Sequence, residues 1–499
     1  MGDSALFRPE DTRFQVDRDR LLAELRELLP EEGLIAHEAG LRPYECDGLS
    51  AYRQVPLAVA IPETVEQVRA VLGVCARLNV PVVARGAGTG LSGGALPHPQ
   101  GVLLSLARFN RILELDPERR IARVQPGVRN LAISEAAAPH GLYYAPDPSS
   151  QIACSIGGNV AENSGGVHCL KYGLTVHNIL EVTLVTMDGE VLTLGSLAPD
   201  SPGYDLLALV TGSEGMLGVI VEIVVQLLPD PLTKQVLMAA FASVADGARA
   251  VAAIIASGIV PAGLEMMDGP AIKATEDFVH AGYPVEAAAL LICELDGSEA
   301  EVTDQMARVR ALMEQHGADS VQVAEDAESR ARIWAGRKAA FPAAGRISPD
   351  YYCMDGTVPR RVLASVLTRI AQMSREYGLE VINVFHAGDG NLHPLILFDG
   401  NQPGQLERTE ELGGKILELC VEVGGTITGE HGAGIEKINQ MCAQFSSEEI
   451  EQFHAVKAAF DPAGLLNPGK AIPTLNRCAE FGALHVHKGQ LPHPELERY

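Results

Sequence analysis

The sequence lacks the features that would place a protein in a membrane or on a nucleic acid. Its longest apolar run, residues 217–228, is broken by Glu222 and Gln226 and is too short to span a bilayer. Lys and Arg number 39 against 64 Asp and Glu, giving a formal net charge of −25. This charge argues against binding to nucleic acids or anionic lipids. An anionic substrate would therefore need a locally positive site.

Closely spaced pairs of cysteines are missing from the sequence as well. The nine cysteines are scattered, and none of them forms a C-x-x-C motif. This pattern predicts a reducing compartment, no disulfide framework and no iron–sulfur cluster bound by this chain. Residues 1–14 are polar and acidic and contain no apolar signal segment, so we expect a cytoplasmic protein.

What the sequence does contain indicates a globular protein of two or three domains. The 499 residues are too many for one ordinary core, and 47% hydrophobic with 21% charged residues is typical of folded chains. The composition changes after Pro229-Asp230-Pro231, which marks a plausible boundary.

Residues 85–94, hereafter the first glycine loop, follow a strand-like segment at residues 80–84. The loop lacks the Gly-Lys-Ser/Thr ending of a P-loop. A Rossmann dinucleotide loop opens a helix, whereas residues 102–106 beyond this loop are short and apolar, like a strand. Its glycines still let backbone N–H groups approach a phosphate closely. An anion-binding nest is therefore favoured over a mobile turn.

Two more glycine-rich stretches follow, at residues 154–166 and 211–220. One such stretch is weak evidence for a ligand. Three of them, separated by strand-like runs, indicate one extended ligand that touches the protein at several points, as a dinucleotide does.

Residues 384–394, hereafter the histidine hairpin, carry two histidines around a turn. Apolar runs flank the segment, and Asp389-Gly390 predicts a two-residue type I′ turn. Pairing the strands outward from that turn places His386 directly opposite His393, with Cβ atoms about 5 Å apart. Two imidazoles at this distance can share a metal ion. The alternative is a pair of solvent-exposed histidines, and spacing alone does not decide between the two.

Glu430 and His431 follow a predicted helix at residues 406–423. Adjacent side chains on extended backbone point in opposite directions, so one can bind a metal while the other faces something else. We expect Glu430 to join His386 and His393 as a third ligand, a solvated loop carboxylate being the alternative. Two imidazoles and a carboxylate suit Zn²⁺, Fe²⁺ or Mn²⁺, and the sequence does not choose among them.

Together these motifs resemble the vanillyl-alcohol oxidase / p-cresol methylhydroxylase family of flavoproteins. The glycine-rich stretches are similar to its FAD-binding domain. The histidine hairpin and residues 429–432 are similar to the branch that oxidises D-2-hydroxy acids, as are residues 44–50 and 349–355. The resemblance implies an α+β fold with a two-part FAD-binding domain of the vanillyl-alcohol oxidase type. It also implies a cap domain whose antiparallel sheet is covered by helices.

The resemblance also implies a division of the chain. We expect an N-terminal helical arm at residues 1–52, the FAD-binding domain at 53–231, the cap domain with the metal site at 232–458, and a return to the FAD-binding domain with a tail at 459–499. The tail from residue 475 carries His485 and His487. It is either loose or docked against a partner subunit.

The FAD contacts are assigned by the same resemblance. The first glycine loop would hold the pyrophosphate, the second stretch the isoalloxazine and ribityl groups, and the third the adenine half. The expected FAD-binding residues are Arg85, Gly86, Ala87, Gly88, Thr89, Gly90, Ser92, Gly93, Pro146, Ser149, Gly157, Gly158, Asn159, Asn163, Gly165, Gly218, Ile220 and Asn467. No histidine lies between Arg85 and Gly94, so we expect FAD to be bound non-covalently.

The implied reaction is oxidation of a small 2-hydroxy acid, such as glycolate to glyoxylate or D-lactate to its keto acid. A divalent metal lowers the pKa of the substrate hydroxyl, and His431, with an ordinary pKa of about 6.5, accepts the proton. Arg337 is expected to bind the substrate carboxylate, a surface salt bridge being the alternative. Phe341 and Cys353 stand where relatives acting on larger dicarboxylates carry polar groups, which favours a small substrate.

Electrons must then leave the flavin, and the chain has no cluster ligands. The resemblance implies a complex with a second FAD-fold subunit and an iron–sulfur subunit, in the cytoplasm or peripheral on the inner face of the cell membrane. Three alternatives are a D-lactate dehydrogenase with the same site, a non-catalytic FAD-binding scaffold subunit, and an O₂-using oxidase.

Overall fold

The N-terminal part of the chain forms a small sheet that supports the first glycine loop. The computed structural model describes residues 13–198, 203–475 and 477–478. The sheet contains, in spatial order, the strands Leu34–Ile35, Ala58–Ala60, Val102–Ser105 and Val82–Arg85. Its last three strands are parallel. The first glycine loop therefore joins strand to strand, as predicted.

The helix Val65–Arg77 packs on this sheet. Thr64 caps it by accepting the backbone N–H of Gln67, which satisfies one of the free donors of the first turn. Val68, Val71, Leu72 and Cys75 recur at helical spacing and are fully buried. The helix agrees with the apolar periodicity of the sequence.

A second, five-stranded sheet is antiparallel throughout. Its strands are, in spatial order, Ile112–Asp116, Ile121–Val124, Val219–Gln226, Ile179–Val185 and Val191–Gly195. The third glycine-rich stretch leads directly into the central strand Val219–Gln226. This connection places residues 211–220 at the start of the central strand, where Gly215, Gly218 and Ile220 share a cavity wall with the first glycine loop.

The C-terminal half is built on a seven-stranded antiparallel sheet. In spatial order its strands are Ala318–Val323, Thr233–Phe241, Ala289–Gly297, Gly263–Asp268, Val381–Phe385, Pro394–Phe398 and Asp350–Cys353. Helices cover both faces, which explains why its inner strands are almost continuously apolar.

Each face of this sheet has its own core. One core includes the helices Val244–Ala256, Glu299–Gln315, Leu363–Tyr377 and Gln405–Glu422. The other includes Gly269–Val279 and Ala327–Ala344. Successive strand residues alternate between the two cores. Leu264 and Met266 enter the first core, so Glu265 between them points to the side of the second.

The remaining elements connect these layers. A two-stranded pair joins Leu142–Tyr143 to Leu228–Pro229. The other α-helices are Arg18–Leu28, Glu38–Leu41, Asn130–Ala137, Ile156–Glu162, Cys169–Tyr172, Leu206–Val210, Met441–Gln444 and Ser447–Phe460. Within the described ranges, every helix is too short or too polar to cross a bilayer.

The C-terminal segment returns to the N-terminal sheet. The backbone N–H of Val82 donates to Leu465 O, and the N–H of Asn467 donates to Val82 O, both at 2.8 Å. Residue 466 thereby pairs in parallel with the edge strand of the sheet. His485 and His487 lie outside the described residues.

The expectation that the cysteines form no disulfide is wrong. Cys442 and Cys478 are joined, across 36 residues of sequence. They meet because the returning chain passes the helix Ser447–Phe460, where His454 Nε2 lies 3.0 Å from Pro473 O. No spacing motif marks such a pair. The other seven cysteines are free thiols.

Candidate active site and cofactor cavity

The two histidines of the hairpin share one face, but in a different register from the predicted one. Asn383 lies opposite Pro394, and His386 bridges to Asn391. The pairing is thus shifted by two residues. Because side chains alternate along a strand, a shift of two keeps a residue on its original face. His386 and His393 are therefore diagonal neighbours, with ring centroids 5.1 Å apart.

The predicted type I′ turn is also wrong. Gly390 has a φ of +85°, but Asp389 does not have a positive φ, which the predicted turn requires. Asp389 instead accepts the backbone N–H of Asn391 with its side chain, at 3.1 Å. Such an Asx turn competes with the tighter hairpin and lengthens the loop.

Glu430 completes a cluster with these histidines. Its Oε1 lies 3.3 Å from His386 Nε2 and 2.9 Å from His393 Nε2. One candidate ligand atom from each of the three residues lies within 4.8 Å of the others. A Cβ on Gly165 would sit 2.7 Å from the second oxygen of Glu430, so the second glycine-rich stretch packs directly on this carboxylate.

The turn that carries Glu430 and His431 is wrapped around the carboxylate of Asp355. Its oxygens accept the N–H groups of His431 at 2.9 Å, Gly429 at 3.1 Å and Glu430 at 3.2 Å. The segment is bent, so the expectation that Glu430 and His431 point in opposite directions is wrong. The His431 ring stacks on His393, with centroids 5.0 Å apart, and its Nε2 lies 3.5 Å from Glu430 Oε1.

A buried ion pair stands behind His386. Glu265 accepts from His386 Nδ1 at 2.8 Å and from Arg337 Nε at 2.8 Å. Arg337 is only 1% exposed, so it does not form a surface salt bridge, and it lies behind His386 and not on the cavity wall. This contact fixes the ring orientation and the tautomer of His386, with Nε2 directed to Glu430.

Sequence reasoning missed Glu265 and Asp355. Glu265 interrupts an otherwise apolar strand, between Leu264 and Met266, and both carboxylates are at most 1% exposed. A lone acid within an apolar strand was the available signal, because a buried carboxylate needs a partner. The partners of Glu265, which are Arg337 and His386, are distant in sequence and could not be predicted from it.

A cavity of about 400 Å³ connects the first glycine loop to this cluster. His393, Glu430 and His431 form part of its wall at one end. The expected FAD residues on the wall are Arg85, Gly86, Ala87, Gly88, Thr89, Gly90, Ser149, Gly157, Gly158, Asn159, Gly218 and Ile220. All three glycine-rich stretches thus face one space.

The other expected FAD residues are not on this wall. Asn467 is buried behind the first glycine loop, where its amide donates to Gly94 O at 2.9 Å. Gly165 packs on Glu430, and Asn163 accepts the N–H of Val176 at 2.9 Å. Ser92, Gly93 and Pro146 are likewise absent from the lining residues. These six residues are therefore not placed to contact a ligand in this cavity directly.

Burial and neighbouring charges set the pKa values of the cluster. Burial alone would raise the pKa of Glu430, but His386 and hydrogen bonds from the imidazoles hold it well below its usual value. Burial lowers the pKa of His393. Burial would also lower the pKa of His431, but Asp355 and Glu430 raise it above its ordinary value. A carboxylate is thus held ionised among imidazoles.

The donor set fits a divalent metal, because two imidazole nitrogens and one ionised carboxylate oxygen converge on one point. The cavity also fits an extended, polar cofactor. A Cβ built on Gly90 would meet no atom within 4 Å, so the loop backbone is open to the cavity at that residue. Among the described residues, Glu162 Oε2 and His431 Nδ1 on this wall have no hydrogen-bond partner.

This fold and cavity define a FAD-linked oxidase. Residues 56–195 match the family described as FAD binding domain, and residues 230–471 match FAD linked oxidases, C-terminal domain. The chain belongs to this family of FAD-dependent oxidoreductases.

The sequence is similar to that of two bacterial glycolate oxidase subunits. It is 67% identical over 484 residues to the glycolate oxidase subunit GlcD of Escherichia coli (strain K12), covering 97% of each chain. It is 40% identical over 433 residues to the protein of the same name from Bacillus subtilis (strain 168), covering 87% of this chain and 92% of the relative.

The predicted α+β fold of the vanillyl-alcohol oxidase type is confirmed. The structure of p-cresol methylhydroxylase with substrate bound superimposes with a TM-score of 0.78 at 17% identity, covering 92% of this chain and 97% of the other. At this identity the likeness concerns the fold alone.

Proposed function

We propose that this chain oxidises glycolate to glyoxylate and accepts other small 2-hydroxy acids such as D-lactate less well. One observation carries the proposal: His386, His393, Glu430 and His431 meet at one end of the cavity that the glycine-rich stretches line. The names of the relatives support glycolate as the substrate.

We assign His386, His393 and Glu430 to a divalent ion of Zn, Fe or Mn. An ion held there would lower the pKa of a hydroxyl group bound to it, and FAD would supply the hydride acceptor. The geometry of Glu265 on His386 Nδ1 supports this assignment, because a metal-binding imidazole commonly donates its other N–H to a carboxylate. We expect FAD to be bound non-covalently.

His431 is the proposed base, and we assign the proton to its Nδ1. Its Nε2 faces Glu430 and is the nitrogen that would carry hydrogen. Its Nδ1 has no hydrogen-bond partner in the described chain, so its lone pair is unengaged. Asp355 raises the pKa of the ring, which favours retention of the proton after transfer.

The helix Ala327–Ala344 supplies the positive charge that the substrate carboxylate needs. Arg337, our candidate from the sequence, is paired with Glu265, its Nη2 lying 2.7 Å from that carboxylate, and it does not line the cavity, so it would bind substrate only by exchanging that partner. Lys338, the next residue, lines the cavity. Phe341 packs edge-on against His393, with centroids 6.2 Å apart, and limits the room for a larger acid.

Anaerobic stopped-flow reduction of the bound flavin tests this proposal. We expect glycolate to bleach the flavin fastest, D-lactate more slowly, and a 2-hydroxy dicarboxylate least. Faster reduction by D-lactate would favour the dehydrogenase alternative. No reduction by any of these acids, in protein that contains FAD and metal, would favour the scaffold alternative and overturn the proposal.

We further propose that the electrons pass to a second FAD-fold subunit and an iron–sulfur subunit, in the cytoplasm or on the inner face of the membrane. The word subunit in the names of the relatives supports a complex. Co-expression with a second FAD-fold subunit and an iron–sulfur subunit, followed by size-exclusion chromatography, tests it. Peroxide formation as fast as reduction of an artificial dye would instead identify an O₂-using oxidase.

A further inference from the structure

His393 belongs to two groups of candidate metal ligands. The first is the set with His386 and Glu430. The second consists of Cys353, His393 and His431, whose sulfur and ring nitrogens lie within 4.8 Å of one another. Cys353 is only 3% exposed, and the rings of His393 and His431 are stacked at an interplanar angle of 10°, so one ring must turn for both nitrogens to bind one ion.

We propose that Cys353, His393 and His431 form a second metal site, selective for thiophilic ions. A thiolate with two imidazoles is a soft ligand set and favours Zn²⁺ or Cd²⁺ over Mn²⁺ or Mg²⁺. The first set replaces the sulfur by a carboxylate and is harder. The two sets therefore differ in the ions they select, although they lie side by side.

The two sites exclude each other because both need His393. An ion in the second site also binds His431, the proposed base, and so inhibits the enzyme. Binding forms a metal–sulfur bond, and the thiol proton of Cys353 is released to solvent. The inhibitory effect rests on the proposed function, whereas the binding site does not.

Cys353 does not line the cavity assigned to FAD. Cys353 lines a second cavity of about 350 Å³, whose wall also contains Tyr351 and Phe398. His393 and His431 line the first cavity, and Leu91 borders both. The second site thus lies at the partition between the two cavities.

The direct test is titration of Cd²⁺ into chelator-treated protein that retains FAD and is kept under a non-thiol reductant. We expect an ultraviolet Cd–thiolate charge-transfer band that saturates at one ion per chain. The band should be lost in Cys353→Ser and kept in Cys75→Ala, which removes a buried thiol from the helix Val65–Arg77. A band of wild-type size in Cys353→Ser, or none in the wild type, overturns the site.

A second measurement addresses inhibition. In wild-type protein, added Mn²⁺ should shift the Cd²⁺ inhibition curve to higher concentration, because both ions compete for His393. Each protein is compared with its own uninhibited rate. Half inhibition of Cys353→Ser should need at least about tenfold more Cd²⁺ than half inhibition of the wild type. This difference corresponds to a loss of about 1.4 kcal/mol in the free energy of Cd²⁺ binding. Equal curves for both proteins contradict the proposal.

The outcomes separate this proposal from the proposed function. A charge-transfer band without flavin reduction by glycolate retains the site and rejects the function. Flavin reduction by glycolate without a charge-transfer band retains the function and rejects the site. If Cys353→Ser does not retain FAD, Cys353→Ala replaces it. Alkylation of the wild type with and without Cd²⁺ then decides the question. Protection of Cys353 by Cd²⁺ supports the site, and no protection overturns it.

Discussion

Two carboxyl groups on the same cavity wall, Glu430 and Glu162, have opposite electrostatics. Glu430 is surrounded by imidazoles, and its pKa is held well below the usual value despite burial. Glu162 lies beside Glu214, and burial together with that neighbour raises its pKa well above the usual value. Glu162 packs on the turn that carries Glu430, since a Cβ on Gly432 would overlap Glu162 Oε2.

The difference shows that burial alone does not decide what a carboxyl group does at this wall. The charge of its neighbours decides it. The imidazoles favour the ionised form of Glu430, whereas burial and Glu214 favour the protonated form of Glu162. The backbone N–H groups of Ala433 and Gly434 are satisfied by Glu214, at 2.7 and 2.8 Å, which leaves Glu162 without such donors.

Removing the proposed base should have the largest effect. We expect His431→Asn to slow anaerobic flavin reduction by about 10²–10⁴-fold, the usual contribution of a positioned base. FAD content should be unchanged. The exposed His140→Asn is the control and should react like the wild type. A rate within about threefold of the wild-type rate, which is roughly the scatter of such assays, would show that His431 is not the base.

Neutralising Glu430 should have the next largest effect. We expect Glu430→Gln to weaken metal binding by about 100-fold or more. This loss exceeds the one expected for a residue that only hydrogen-bonds to a metal ligand. Metal content after dialysis against a competing chelator measures it. Glu162→Gln is the matched variant on the same wall and should keep its metal. Equal losses in both would break the comparison between the two carboxyl groups.

Glu265 should matter less than Glu430, because it acts through His386. We expect Glu265→Gln to weaken metal affinity by about 10–100-fold. Glu265→Asp, which keeps the charge near Arg337, should recover part of this loss. Glu294→Gln is the control: Glu294 is a buried acid on the neighbouring strand that binds Trp334 instead of a metal-site histidine. Unchanged affinity in Glu265→Gln would show that the ion pair only stabilises the fold.

The smallest effect concerns stability and pH. Because the pKa of Glu162 is raised on folding, its contribution is fully present below the unfolded pKa and is lost as pH rises through the folded pKa. A tenfold change in proton affinity between the folded and unfolded chain corresponds to about 1.4 kcal/mol of stability. We expect Glu162→Gln to flatten the decline in stability on that alkaline side, measured by urea unfolding at a series of pH values. A decline as steep as in the wild type would mean that Glu162 does not titrate there.

Local patterns in the sequence predicted much of the fold and the side chains that meet in the cluster of His386, His393 and Glu430. The helix Val65–Arg77 and the strands beside the first glycine loop follow from apolar periodicity and capping. His386 and His393 were placed on one face even though the register was wrong, because a shift of two preserves the face. Local information was sufficient wherever neighbours in sequence decide the geometry.

Contacts between distant segments were not predictable in this way. The bend at Glu430 depends on Asp355, and the position of Arg337 depends on Glu265, which lies on another strand. The disulfide between Cys442 and Cys478 depends on the path of the returning chain. In each of these cases the partner, not the local pattern, determines the conformation.

The return of the chain to its own beginning has a consequence for biosynthesis. Asn467 supports the first glycine loop through Gly94, and the Lys470 ammonium donates to Leu96 O on the same side. Neither support exists until almost the whole polypeptide has left the ribosome. We therefore expect nascent chains to remain without flavin during translation, with cofactor uptake as a late event in maturation.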